Sequence, residues 1–253
     1  MLKSLTVILT VISITLAGCG SNSDKKIDSS KLRQTIVQAI TGDYDANVRL
    51  KGMIGSKQIG KSDYNQLTID SFQIDKRSYY TVLLEYFDPA LNLFAIYDDD
   101  LNLYLLDKSL NGNLSSEWVR MGTHNFVFLQ ERFLTKDVLS LDRLSIYEVN
   151  NKSAYLIYRS LSRFVEGKEI SHQTVESLTN DFIITKMTGL DDKSLNNQTD
   201  TFYYDANLNR YFSKWNLFNN YVKQKIKEFS WVVIKPQIPA DIIEDSDKVN
   251  NQK

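Results

Sequence analysis

The chain has 253 residues, with 30 lysines and arginines, 31 aspartates and glutamates, and a formal net charge of −1. This balance argues against a nucleic-acid-binding protein, and a single cysteine cannot form an intramolecular disulfide. The 14 tyrosines and 12 phenylalanines fit pleated, half-buried surfaces, so the composition predicts a mainly β protein.

The chain opens with the pattern of a secretory signal. Lys3 supplies a positive charge, and an apolar run from Leu5 to Leu16 follows it before a group of small residues. The run is too short to span a bilayer, which needs about 20 apolar residues. The first segment is therefore interpreted as an export signal.

The end of this run, Leu16, Ala17, Gly18 and Cys19, resembles the lipobox of bacterial lipoproteins. The resemblance implies a diacylglyceryl group on the Cys19 sulfur, cleavage after Gly18 and, in many lipoproteins, a further fatty-acyl chain such as palmitate on the new amino group. Two or more chains hold a protein stably, since each buried methylene contributes about 0.8 kcal/mol. The alternatives are an ordinary signal peptide with a buried cysteine, or an uncleaved helix.

The domain organisation follows from this interpretation. Residues 1–18 are the signal peptide, 19–30 the lipidated cysteine and a flexible tether, 31–240 a single β-rich domain, and 241–253 a polar tail. The polar tether after Cys19 has a reach of roughly 18 Å. The resemblance to lipoproteins also implies where the protein is anchored, because Gly20 follows the cysteine. The expected location is the outer membrane if the host has one, and otherwise the outer face of the cytoplasmic membrane.

Two amphipathic helices are predicted, one at each end of the domain. Lys31–Ile40 places Leu32, Ile36, Val37 and Ile40 on one face, with Ser29 or Ser30 as its cap and Gly42 after its end. The second helix, Trp215–Phe229, has one apolar stripe of five residues: Trp215, Phe218, Val222, Ile226 and Phe229. A last strand, Phe229–Lys235, is ended by Pro236.

Between the helices, short apolar runs with partial alternation predict an antiparallel sheet. The predicted strands are Tyr44–Lys51, Asn65–Ile74, Tyr79–Phe87, Leu91–Tyr97, Leu101–Asp107, Arg143–Val149, Ala154–Ser160, Glu169–Leu178, Phe182–Thr188 and Thr201–Tyr204. The pattern of Phe126–Leu134 fits either a strand or a helix. The predicted fold class is mainly β (α+β): an antiparallel meander or half-barrel with an amphipathic helix at each end.

One local pattern, Asp-x-x-Leu-Asn, occurs five times. An aspartate side chain can accept from a backbone N–H two residues on, and asparagine tolerates the left-handed conformation, so each copy predicts a hairpin turn. Aromatic residues flank three copies and are expected to pair across the strands. The copies are Asp88–Asn92, Asp98–Asn102, Asp107–Asn111, Asp192–Asn196 and Asp205–Asn209.

The alternative for one copy is a calcium loop. Asp98, Asp100 and Asn102 have the spacing of its first three ligands. Leu103 stands where such a loop needs glycine, and Ser109 where it needs a bidentate glutamate. A metal-free turn is therefore expected, and no metal or cofactor is predicted.

Catalytic patterns are scarce. Neither His124 nor His172 has metal-ligand spacing to another strong ligand, and each is interpreted as a surface or strand residue. Glu166 and Glu169 flank Gly167, and a hairpin tip explains them better than acid–base catalysis. Four lysines of the C-terminal region form a solvated face or a contact with anionic headgroups: Lys214, Lys223, Lys225 and Lys227.

Three functions stay open. The preferred one is a non-enzymatic envelope lipoprotein with an interaction or structural role, held to the membrane through Cys19. The second is a carrier of a lipid or other apolar ligand, because the predicted helix, meander and helix look like the half-barrel of lipoprotein-sorting carriers. The third is an envelope hydrolase. A large apolar cavity favours the carrier, whereas a filled core with an exposed aromatic patch favours a partner-binding protein.

Overall fold

The computed structural model describes residues 30–40, 43–49, 64–135 and 139–228. These residues form three α-helices, α1 (Ser30–Ile40), α2 (Tyr44–Arg49) and α3 (Leu217–Glu228). They also form twelve strands: β1 (Tyr64–Ile74), β2 (Arg77–Tyr86), β3 (Leu93–Asp98), β4 (Leu103–Asp107), β5 (Asn113–Met121), β6 (His124–Thr135), β7 (Leu139–Val149), β8 (Ala154–Glu166), β9 (Glu169–Leu178), β10 (Phe182–Thr188), β11 (Thr199–Asp205) and β12 (Arg210–Phe212).

The strands form two antiparallel sheets in which every neighbour is also the next strand in the chain. The first sheet has the order β1-β2-β3-β4, and the second has the order β12-β11-β10-β9-β8-β7-β6-β5. Neither sheet closes on itself. The predicted mainly β meander with two flanking amphipathic helices is therefore confirmed.

The first sheet is covered on both faces. Helix α1 buries Leu32 and Ile36 against one face, and the second sheet packs against the other. All six residues of β3 are buried as a result, which explains its nearly continuous apolar sequence, Leu93 to Tyr97. The predicted apolar face of α1 is confirmed for Leu32 and Ile36, and Val37 is half-buried.

The long central strands of the second sheet pack against two different partners on one face. Near one end of the strands, Val127 and Tyr147 lie against the first sheet. Near the other end, Phe133 and Leu161 lie against α3, with Phe218 and Val222 of the helix. Charged side chains are buried between these two apolar regions. The charged side chains contact the segment that links the two sheets.

The last strands of the second sheet curl over the opposite face. Tyr158 of β8 lies edge-on to Phe202 of β11, with ring centroids 5.0 Å apart, and the Tyr211 hydroxyl donates to the Thr179 carbonyl at 2.6 Å. The interior of this curl is filled by side chains from the strands themselves. Helix α3 packs next to this interior, against Leu161 and Met187.

All five Asp-x-x-Leu-Asn segments contain the predicted side-chain turn. In each, the aspartate Oδ1 accepts from the backbone N–H two residues on, at 2.8–3.0 Å: Ala90, Asp100, Ser109, Ser194 and Asn207. Three copies join paired strands, and the fourth lies in the longer β10–β11 loop. The third copy, Asp107–Asn111, is not a hairpin, because it crosses from the first sheet to the second.

Several sequence predictions are wrong in detail. Tyr44–Lys51 was predicted as a strand, but residues 44–49 form α2, whose start is capped because Asp43 Oδ1 accepts from Ala46 N at 2.9 Å. Of the predicted aromatic pairs only Tyr204 and Tyr211 are directly opposed. The ambiguous Phe126–Leu134 lies within strand β6.

The predicted signal peptide, the lipobox with Cys19, the tether before Ser30, the strand Phe229–Lys235 and the polar tail all lie outside the described residues.

Candidate functional site

A group of large apolar side chains is exposed where the second sheet ends. Tyr203 is opposite Phe212 across β11 and β12, so the two share the outer face of the sheet, and they are 65% and 41% exposed. Leu208, in the turn between these strands, and Trp215, just after β12, are each 62% exposed. We call these four residues, of which three are aromatic, the aromatic surface.

The backbone that carries Trp215 is held firmly. Asp200, which is buried, accepts from the Ser213 hydroxyl at 2.5 Å and from the Leu217 N–H at the start of α3 at 2.9 Å. The Ser213 oxygen in turn accepts from Trp215 N at 3.1 Å. The Trp215 carbonyl accepts from Asn220 Nδ2 at 2.7 Å. An exposed tryptophan is thus fixed on an ordered backbone.

This arrangement is suited to binding. Aromatic side chains on rigid backbone lose little conformational entropy when a partner covers them, and tryptophan and tyrosine are enriched among residues that dominate interface energies. The Lys214 ammonium lies over the Trp215 ring, 5.2 Å from its centroid, and places a cation beside the apolar group.

Sequence reasoning misplaced Trp215. It was assigned to the apolar stripe of the C-terminal helix, but α3 starts at Leu217 and Trp215 points to solvent. Phe218 and Val222 of the same stripe are buried as predicted, and Ile226 is half-buried. The signal that could have found the exposed surface is the short hairpin Tyr203–Phe212, whose two faces both carry aromatic residues.

A second cluster is charged and buried, and it fixes the segment between the sheets. The Arg159 guanidinium contacts the Asp107 carboxylate, and the Tyr147 hydroxyl donates to the same carboxylate at 2.6 Å. Burial raises the pKa of Asp107, but the charge of Arg159 and hydrogen bonds from Ser109 and Tyr147 outweigh it and lower the pKa to about 2. Burial also raises the pKa of the Tyr147 hydroxyl.

The neighbouring pair Glu131 and Arg143 completes this cluster. Both side chains are 1% exposed, and Arg143 Nε donates to Glu131 Oε2 at 2.7 Å. The other Glu131 oxygen accepts from Gly112 N at 3.0 Å, and Arg143 donates to the Ser109 carbonyl at 2.8 Å. These groups satisfy the buried backbone of the crossing segment, so the cluster has a structural role.

The candidate calcium turn is occupied by a guanidinium group. Asp98, Asp99 and Asp100 bring three carboxylates together, but Arg77 forms ion pairs with all three, at 2.7, 3.2 and 3.3 Å. Both Asp98 oxygens also accept hydrogen bonds within the turn, including one from Asn102 N at 2.8 Å. A cation here would compete with a resident positive charge.

The other residues singled out from the sequence lie at two places in the second sheet, the β8–β9 hairpin and the start of β6. Glu166 and Glu169 are directly opposed at the β8–β9 hairpin tip, which confirms that interpretation. His172 lies on β9, where burial and the nearby charge of Arg163 lower its pKa. His124, on β6, contacts the Glu148 carboxylate through Nδ1 at 2.7 Å. The structure does not bring the two histidines together.

The basic C-terminal helix offers fewer free charges than its sequence implies. The Lys225 ammonium pairs with Asp191 at 2.5 Å, and Lys214 precedes the helix and lies against Trp215. Two of the four lysines, Lys214 and Lys225, are thus already engaged by neighbouring side chains.

The two best-defined cavities of the described residues are small and mostly polar. One has a volume of about 290 Å³ and lies between the ends of the two sheets. The other has a volume of about 240 Å³ and lies between α3 and the loop at Asp191 and Asp192. Neither has the apolar lining that a lipid carrier needs.

No protein-family model matches the chain, and no curated protein or solved structure does. None of the helices among the described residues is long and apolar enough to cross a membrane.

Proposed function

We propose that this chain is a lipid-anchored protein of the cell envelope, without enzymatic activity, whose β-rich domain binds a protein partner through the aromatic surface. The observation that carries the proposal is Trp215, 62% exposed on a backbone that Asp200, Ser213 and Asn220 hold in place. With Tyr203, Leu208 and Phe212 it makes a group of exposed apolar side chains, and exposed apolar patches mark interaction sites.

The partner is expected to offer an apolar pocket for Trp215 with hydrogen-bond acceptors at its rim. Trp215 and Tyr203 combine a large apolar area with one polar atom each, and Lys214 adds a cation beside them. Residues at the centre of such a contact dominate its free energy, whereas the surrounding polar groups contribute little.

A filled interior supports partner binding over lipid transport. Strand side chains such as Tyr158, Phe202 and Ile183 occupy the space inside the curl of the second sheet. The best-defined cavities of the described residues have polar linings. A carrier needs an apolar concavity large enough to bury most of its ligand.

Site-specific photo-crosslinking in the host tests the proposal. A benzophenone amino acid placed at Tyr203 or Phe212 should give one defined protein adduct, identified by mass spectrometry. The matched control carries the same amino acid at Lys168, at the β8–β9 hairpin tip. The adduct should be lost when Trp215→Ala is added. The absence of an adduct, together with a lipid that co-purifies with the protein, would favour the carrier.

A further inference from the structure

The cleft of about 290 Å³ between the ends of the sheets is made by residues of three separate segments. The β1–β2 turn of the first sheet supplies Asp75 on one side. On the other side, the β5–β6 hairpin supplies Arg120 and Asn125, and the end of β7 with the following turn supplies Glu148 and Asn151. None of these residues belongs to the aromatic surface.

Several polar groups in the cleft have unused hydrogen-bonding capacity. Asn125 is half-buried, yet its side-chain amide has no hydrogen-bond partner among the described residues. Arg120 makes only a long contact, 3.4 Å from Nε to the Gly122 carbonyl, so its terminal nitrogens are available. Both groups line the same small cleft and have donors free to bind a polar ligand there.

Other groups in the cleft are held in fixed positions. Glu148 is bound through both oxygens, by His124 Nδ1 at 2.7 Å and by the Tyr155 hydroxyl at 3.1 Å. The Asn151 carbonyl accepts from the Tyr104 hydroxyl at 3.1 Å, which ties this turn to the first sheet. Preorganised polar groups lower the cost of binding, because they lose little freedom when the ligand arrives.

The turn that forms one wall carries backbone strain. Asp75 and Lys76 both have positive φ values, 48° and 70°, although neither is a glycine. These values are those of a two-residue hairpin turn, in which Ile74 pairs with Arg77, and the turn places Asp75 in the lining of the cleft.

The charges in the cleft nearly cancel. Arg120 opposes Asp75, and Glu148 is already engaged by His124 and Tyr155. An anion would meet two carboxylates, and a cation would meet a guanidinium group. A neutral ligand that both donates and accepts hydrogen bonds fits best, and hydroxyl groups on a ring of sugar size have this chemistry.

We propose that this cleft binds one saccharide unit of a glycan, with Arg120 and Asn125 donating to ring or hydroxyl oxygens and Asp75 accepting from a hydroxyl group. The site is independent of the aromatic surface, so each proposal can fail without the other.

Saturation-transfer NMR on the full-length protein in detergent micelles tests the site, with glucose, N-acetylglucosamine and maltotriose as probes. At least one saccharide should receive saturation in a concentration-dependent way. Arg120→Ala and Asn125→Ala should each weaken binding by about tenfold, as expected for the loss of one or two hydrogen bonds. Lys168→Ala, at a hairpin tip outside the cleft, should bind like the wild type.

Circular dichroism first establishes that each variant is folded. Arg120 is exposed, so Arg120→Ala should fold. This variant alone tests the site if Asn125→Ala does not fold. Three outcomes would overturn the proposal: no transfer to any of the saccharides, equal transfer in all variants, or binding of inorganic phosphate without binding of a saccharide. Trp215→Ala should leave saccharide binding unchanged, which separates this site from the protein-binding surface.

Discussion

Two lysines at hairpin turns differ in backbone conformation, and the difference has a measurable effect on stability. Lys76 has a φ of 70°, where a side chain is strained and glycine is not. Lys76→Gly is therefore expected to raise the free energy of unfolding by about 1 kcal/mol. Urea denaturation monitored by tryptophan fluorescence measures this change.

The matched control for that variant is Lys168→Gly, at the β8–β9 turn. Lys168 is not among the described residues with positive φ, so glycine there relieves no strain and only adds freedom to the unfolded chain. The control is expected to be neutral or slightly destabilised. Equal stabilisation of both variants would contradict the assignment of strain to Lys76.

Asp107 makes stability depend on pH in a defined range. Its pKa is lowered to about 2 from an ordinary value of 3.8, so the folded state binds its proton less readily than the unfolded chain does. The stabilisation is present above pH 4 and is lost as the pH falls towards 2. It amounts to about 2 kcal/mol.

Asp107→Asn should remove this part of the pH dependence. The difference in unfolding free energy between wild type and variant is expected to be largest at pH 5 and to shrink towards pH 2. Asp88→Asn is the control, because Asp88 accepts from Ala90 N in the same kind of turn without an ion pair among the described residues. A constant difference across the pH range would show that Arg159 does not act on Asp107 as described.

At the scale of single residues, sequence reasoning predicted the turn chemistry but not the sites. The Asp-x-x-Leu-Asn pattern identified five side-chain turns because those bonds are local. The exposure of Trp215 and the unpaired amide of Asn125 depend on which distant segments pack nearby. Such positions are set by tertiary structure, which a local pattern does not contain.

At the scale of elements, two glycines with the same sign of φ should respond differently to a methyl group. A Cβ on Gly189 would lie 2.1 Å from the Ile170 carbonyl oxygen, whereas a Cβ on Gly122 would meet no atom within 4 Å. Gly122→Ala should cost about 1 kcal/mol, from backbone strain alone. Gly189→Ala should cost about 3 kcal/mol or more, since β9 and the end of β10 must separate.

Thermal denaturation followed by circular dichroism compares the two variants. The Gly189→Ala protein should unfold at a clearly lower temperature than the Gly122→Ala protein. Similar melting temperatures would mean that β9 and the end of β10 can separate at Gly189 without loss of stability.

Strands with long runs of apolar and β-branched residues can be predicted from the sequence, whereas very short strands and strands rich in polar residues cannot. β9 and β10 have the predicted bounds, Glu169–Leu178 and Phe182–Thr188. β5 and β12 were missed. β5 mixes serine and charge with few apolar residues, and β12 has only three residues. Tyr44 and Val48 have strand propensity, so the sequence predicts a strand where α2 forms. In the structure the aspartate cap outweighs that propensity.

The crossing between the sheets shows where a local pattern fails. Asp107–Asn111 has the same turn chemistry as the hairpin copies, but Gly112 follows it, and a Cβ there would lie 2.6 Å from the Arg132 carbonyl oxygen. Close approach to β6 and the buried carboxylate of Glu131 direct the chain into the second sheet. Both determinants lie about twenty residues further along the chain.

At the scale of the whole molecule, the central prediction is lipidation of Cys19. The wild-type protein purified from its host should have the mass of residues 19–253 plus a diacylglyceryl group, with or without a further acyl chain. Cys19→Ser should leave it without lipid, either released from the membrane or with its signal retained. Intact-mass spectrometry makes the measurement, and a wild-type mass without lipid would rule out the anchor.

The order of the strands has a consequence for how the protein acquires its shape. Within each sheet every strand pairs with the one before it in the chain, so each of these pairings closes a short loop and costs little chain entropy. A chain synthesised from its amino end can add strands one after another, and β12 is the last of the described strands to join. The face formed by Tyr203, Phe212 and Trp215 then forms only after the other described strands are in place. A partner that recognises it distinguishes mature copies from incomplete ones.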